Sequence, residues 1–132
     1  MTTDISAKKE ALPPTAMHVT QGHSCAMVDF QYCGGGLGVK DIAYMMATSV
    51  APSLVAQEAE LLQHYHTHLM AALQGRGTPC PEYTVEIMTE HYEIAMLDFV
   101  RFMAGWGWWG NTSWAGNRAN SVLEKYINEL TG

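Results

Sequence analysis

The sequence predicts an α+β fold that is predominantly α: a short β-hairpin followed by about four helices. Three observations lead there. Two short apolar runs, Ala16 to Thr20 and Cys25 to Phe30, flank the turn-forming Gln21-Gly22-His23-Ser24. A glycine-rich stretch, Gly34-Gly35-Gly36-Leu37-Gly38, then interrupts regular structure. Beyond it, apolar residues recur at helical spacing to the end of the chain.

The elements follow in order. Residues 1–16 are polar and end in Pro13-Pro14, which reads as a disordered lead-in. Residues 17–132 read as one folded unit. The first helix runs from Asp41 to about Ser49 and stops before Pro52, because a residue preceding proline disfavours helical geometry. Pro52 then suits the first turn of a second helix, whose stripe is Leu54, Val55, Leu61, Leu62, Tyr65, Leu69 and Leu73. Gly75-Arg76-Gly77 ends it. Pro81 opens a third helix from Glu82 to about Ala104, striped by Val85, Met88, Tyr92, Ala95, Phe99 and Phe102. Ile87, Ile94, Leu97 and Val100 widen that stripe, so its second half is expected to be deeply buried. Glu82, Glu86, Glu90 and Glu93 read as a solvated face that also complements the positive end of the helix. A last helix runs to about Leu130 on Ala119, Val122, Leu123, Tyr126, Ile127 and Leu130. Ser121-Val122-Leu123-Glu124 is either a capping box or part of a helix already begun.

Bulk properties exclude several classes of function. With 48% hydrophobic residues in 132, the chain can bury a core. A net charge of −6 argues against a nucleic-acid partner, which calls for a basic surface. No apolar run reaches the roughly 18 residues of a membrane span. Cys25, Cys33 and Cys80 are an odd count without C-x-x-C spacing, which reads as reduced thiols in a cytoplasmic protein. Asn111-Thr112-Ser113 fits the glycosylation pattern, but a cytoplasmic chain does not meet that machinery.

Asp29 is the first candidate for chemistry. It closes an apolar run and precedes the glycines, so a rigid element would present its carboxylate to solvent or a cation. Magnesium on nucleotide phosphates takes only one or two protein carboxylates. Alone, such an Asp is more often a turn former.

The longer pattern carries more. Val28-Asp29-Phe30-Gln31-Tyr32 is followed by the glycines and then by Gly38-Val39-Lys40-Asp41-Ile42-Ala43-Tyr44. Downstream come Leu62-Gln63-His64-Tyr65-His66, then His91-Tyr92 with Leu97-Asp98-Phe99-Val100-Arg101-Phe102. In that order these strings resemble the protein-kinase-like small-molecule phosphotransferases, in the branch of aminoglycoside phosphotransferases, choline kinases and ecdysteroid kinases. The resemblance implies the C-terminal lobe of a kinase-like fold. It also implies Mg2+ and ATP as cofactors and a small-molecule hydroxyl as substrate. Asp29 would bind the metal, Gln31 would help order the loop beside the nucleotide, and Asp41 would brace the catalytic loop or cap its own helix.

The departures matter as much. The family's H-G-D-x-x-x-x-N loop, whose Asp acts on the acceptor hydroxyl, has no counterpart in Lys8-Lys9-Glu10-Ala11-Leu12-Pro13-Pro14-Thr15. No catalytic base is assigned, and a truncated product or degenerate homologue, inactive alone, is expected. The alternative is a non-catalytic helical module that acts by self-association.

Two further clusters have rival readings. His64 and His68 share a helix face, where i, i+4 histidines can bind zinc, yet a half-exposed surface face is the commoner case. Trp106, Trp108, Trp109 and Trp114 read as core packing, with at least one of the adjacent Trp108 and Trp109 near the surface. The resemblance would place them in the lobe that encloses the acceptor.

Overall fold

The computed structural model describes residues 34–132, and 35–132 form one compact unit. Its regular elements are α1 (Val39–Thr48), α2 (Glu58–Gly75), α3 (Val85–Trp106) and α4 (Thr112–Thr131), with a 3₁₀ turn at Val55–Gln57. Four helices were expected and four are found, with no strand among the described residues. Both expected strands of the hairpin lie outside the described residues, as does the expected lead-in.

The helix boundaries have local causes. α1 stops at Thr48, whose Oγ1 donates back to the Tyr44 carbonyl at 2.8 Å. α2 begins six residues after Pro52, later than expected. The intervening chain closes tight turns instead, with Leu54 N–H donating to Ala51 O (2.8 Å) and Gln57 N–H to Leu54 O (2.9 Å). At the other end of α2, Gly77 takes φ +73° and Thr78 N–H returns to Leu73 O at 3.0 Å, so the expected stop holds. α3 also starts late. Thr84 is its N-cap, and the Thr84 side chain accepts from Ile87 N–H, leaving Pro81 in the preceding turn.

The core forms where α3 meets the other three helices. Val39, Ala43, Met46 and Ala47 of α1, Leu62 of α2, Met88, Tyr92, Ala95, Met96 and Met103 of α3, and Ala115 of α4 make one buried cluster. Small alanines on α1 and α4 let backbones approach, and methionines fill the irregular space left between them. α3 departs from expectation in its second half. Ile94 is 55% exposed and Phe102 39%, so burial follows Met96 and Met103 instead of the widened apolar stripe. α4 behaves similarly. Ala119 and Val122 are buried, while Leu123, Ile127 and Leu130 lie open to solvent. Ser121 is mid-helix and donates to Asn117 O, which decides against the capping box.

The loop from α3 to α4 is fastened to the end of α1. Asn111 donates its backbone N–H to Ala47 O (2.7 Å), and its side-chain Nδ2 donates to Met46 O (2.9 Å) and Val50 O (2.8 Å). The Met46 and Ala47 carbonyls belong to the last turn of α1, which leaves them unpaired within the helix, and Val50 lies just beyond it. Gly110 makes the approach possible. It takes φ +73°, and a Cβ there would lie 2.7 Å from Ala47 O and against the Thr48 backbone.

Asn111→Ala is expected to cost about 1–3 kcal/mol in urea unfolding, because it strips donors from part-buried carbonyls. Asn111→Asp should be at least as damaging, since a carboxylate has no N–H to donate. Equal stability of either variant and the parent would exclude this fastening as a support of the fold.

Candidate functional site

Of the residues singled out in the sequence, Asp29 and Gln31 lie outside the described residues. Asp41 lies in the first turn of α1, exposed, where a carboxylate complements the helix dipole. It does not cap the helix: the N-cap is Gly38, with no side-chain cap bond. Gly38 has φ −60°, which any residue adopts, so its backbone does not need glycine. A Cβ at that position would strike the Tyr65 hydroxyl reaching over from α2. Burial, and then the Asp41 carboxylate, push the Tyr65 phenol up from its usual pKa. Gly38, Asp41 and Tyr65 therefore meet at the start of α1.

The histidines of α2 divide by face. His66 donates through Nε2 to Tyr83 O at 2.7 Å, and the Tyr83 ring stacks on His91 with centroids 5.6 Å apart. That set ties α2 to the start of α3. His64 and His68 face away from it, both exposed. Among the described residues, no three His, Cys, Asp or Glu side chains come together in a way that could hold a metal ion.

The tryptophans are mostly not core. Trp106 is 81% exposed, Trp108 52% and Trp109 38%, and only Trp114 packs against the core. Phe102 stacks between Phe99 (5.9 Å) and Trp106 (6.0 Å), and Trp109 meets Phe99 and Phe102 edge-on. Tyr44 of α1 also meets Phe99 edge-on, at 5.0 Å. The core-packing reading fails for three of the four: Trp106 closes α3 on its open side, and Trp108 and Trp109 follow Gly107 (φ +143°) in the exposed loop beyond it. The expectation that Trp108 or Trp109 would be near the surface holds for both.

The residue the sequence reading missed most clearly is Glu93. It does not join a solvated face; it is 7% exposed. Arg118 Nη2 donates to its Oε1 at 3.1 Å and Lys125 Nζ to its Oε2 at 2.9 Å. Arg118 also reaches Glu58 at the start of α2, Nε to Oε2 at 2.9 Å. One guanidinium thus joins α2, α3 and α4. Burial raises the Glu93 carboxyl, but the bonds from Lys125 and Arg118 outweigh it and hold the pKa below the usual carboxylate range. Beneath them, the Tyr92 hydroxyl is buried without a hydrogen-bond partner. Burial, and then the Glu58 carboxylate, push its pKa well up, so it remains a neutral phenol. By contrast, Asp98 and Arg101 pair at 2.8 Å on an open surface, which is worth about 0–1 kcal/mol.

No described helix is long and apolar enough to cross a membrane. Residues 17–77 match the ecdysteroid kinase-like family. The match covers a little under half of the chain, from before Asp29 through the end of α2, and agrees with the kinase-like phosphotransferase resemblance carried by the motifs. Comparison with curated proteins and with solved structures gives no match.

Three predictions follow from the charged knot and the tyrosine beneath it. Arg118→Ala is expected to lower stability by ~2–3 kcal/mol, somewhat under the cost of breaking a fully buried pair, because the Arg118 side chain keeps 23% exposure. Glu93 has a depressed folded-state pKa, so its contribution is present above its unfolded value of about 4.3 and is lost as pH falls through the folded value. Glu93→Gln should flatten the stability-against-pH curve below about pH 4.3; an unchanged slope would remove Glu93 from the acid response. Tyr92→Phe removes an unpartnered hydroxyl and is expected to shift stability by less than about 0.5 kcal/mol, or to raise it.

Proposed function

We propose that residues 17–132 form part of the helical lobe of an ATP- and magnesium-dependent phosphotransferase acting on a small-molecule hydroxyl. The observation that carries the reading is the overlap of the family match with the one string that bears the chemistry, Asp29 through Asp41. The donor set suits the ion. Magnesium prefers hard oxygen ligands and keeps most of its waters, so a single carboxylate from Asp29 is sufficient on the protein side.

On this reading Asp29 holds the metal and Gln31 orders the chain beside it. Asp41 supports the start of α1, beside Gly38 and the Tyr65 hydroxyl. The bound magnesium–nucleotide supplies the phosphoryl group, and neutralisation of its charge is the metal's contribution. No residue is assigned as base, because the sequence contains no H-G-D-x-x-x-x-N string. Phosphoryl transfer by this chain alone is therefore not expected, and a cytoplasmic location goes with the reading.

One observation favours a second reading, non-catalytic self-association. Phe102, Trp106 and Trp109 leave a contiguous aromatic surface open at the end of α3, with Trp108 exposed in the same loop, and such patches often mark contacts between proteins.

Thermal unfolding with magnesium and ATP separates the two. A ligand at 100 times its Kd stabilises by about 2.7 kcal/mol, and each kcal/mol moves Tm by roughly 2–8 °C. The expected result is an upward shift with magnesium–ATP that disappears in Asp29→Asn. A shift that survives the substitution takes Asp29 out of the nucleotide site. No shift, together with a concentration-dependent dimer that Trp106→Ala dissolves, establishes the association reading instead.

A further inference from the structure

His64 and His68 lie on the open face of α2, in a shallow depression lined by Ala59, Glu60, Gln63, His64, Thr67 and His68. Their rings are 4.1 Å apart between centroids and tilted by 38°. His68 Nδ1 lies 2.9 Å from the carbonyl oxygen of His64. A carbonyl oxygen only accepts, so Nδ1 carries the hydrogen in this bond. In the neutral ring that leaves the lone pair on Nε2, free of the helix. The same bond fixes the ring's rotation and increases its basicity. Donation of the second ring N–H to a backbone carbonyl is the usual support of a metal-bound histidine.

We propose that His64 and His68 form a two-histidine site for a late first-row divalent ion, Cu2+ or Zn2+, on the surface of α2. Imidazole nitrogens suit these ions, and affinity follows the order in which Cu2+ exceeds Zn2+. Two nitrogens at about 2.0–2.1 Å from one ion stand roughly 2.8 Å apart at neighbouring positions of a tetragonal Cu2+ site and roughly 3.3 Å apart on tetrahedral Zn2+; the ring centroids stand 4.1 Å apart, so adjustment of the His64 ring toward the fixed His68 ring closes the site. Among the described residues no third protein ligand converges, so water completes the coordination. The site is separate from the oxygen ligand proposed for magnesium and does not rest on it.

Its consequence falls on the helix least secured by packing. Among the eighteen residues of α2 only Leu62 is buried. An ion bridging positions four apart would pin one full turn of that helix.

The test uses the full chain without an affinity tag, titrated with CuCl2 and with ZnCl2. His64→Gln, His68→Gln and the double variant are compared by calorimetry, with helicity checked by circular dichroism. The expected result is tighter binding of Cu2+ than Zn2+, with at least tenfold weaker affinity in each single variant and one equivalent lost in the double variant. Substoichiometric Cu2+ should broaden the ring resonances of His64 and His68 ahead of those of His66 and His91. Excess magnesium should not displace the ion. Binding within twofold of the parent in the double variant, or broadening that begins at other histidines, would overturn the assignment. So would the absence of saturable binding.

Discussion

Arg118 is the point on which the helical unit turns. Its guanidinium bridges Glu58 on α2 and Glu93 on α3 from its own place on α4, and Lys125 fills the remaining oxygen of Glu93. A carboxylate as enclosed as Glu93 is tolerated only when its charge is met, so the three helices are held to one relative arrangement. Apolar burial alone would not do this. α2 contributes a single fully buried side chain, and methionine contacts in the core adapt to small shifts of the helices around them. Directional charge contacts supply the register that the apolar contacts leave loose.

What the sequence disclosed divides along the same line. Periodicity located every described helix, since a helix is a local object and its stripe is written in consecutive residues. It failed on which part of each stripe would be covered. Ile94 and Leu123 have the right spacing, but neither has a helix opposite it in the described unit. Glu93 was read with Glu86 and Glu90 because the three share a type and a spacing. Its partners, Arg118 and Lys125, lie 25 and 32 residues further on, where no local rule reaches. Asn111 is a similar case. Its glycosylation-like setting drew attention to the wrong chemistry, while its amide hydrogens are committed to carbonyls more than sixty residues earlier.

The candidate site was legible in a different way. Asp29, Gln31 and Asp41 came from the order of several short strings; the family match covers those from Val28 to His66, while the strings from His91 to Phe102 lie beyond it. The surroundings of Asp41 are set by contacts between α1 and α2 that no local string encodes. Gly38 leaves room for the Tyr65 hydroxyl, the end of a side chain that can move aside, and has a φ any residue adopts, whereas the sequence suggested backbone freedom as the reason for glycine. The two histidine faces of α2 show the same limit. Spacing put His64 and His68 on one side, but only the bond from His68 to the His64 carbonyl distinguishes a fixed ring from a mobile one.

The interior of this unit is rich in sulfur. Met46, Met88, Met96 and Met103 are among its largest fully enclosed side chains. A thioether there is shielded from peroxide while the helices stay closed, so oxidation reports the rate at which they part. Once formed, a sulfoxide is too polar to return to its place without a hydrogen-bond donor to meet its oxygen. Each opening under oxidative conditions therefore carries a ratchet: the chain that opens and is oxidised does not close again as the same object.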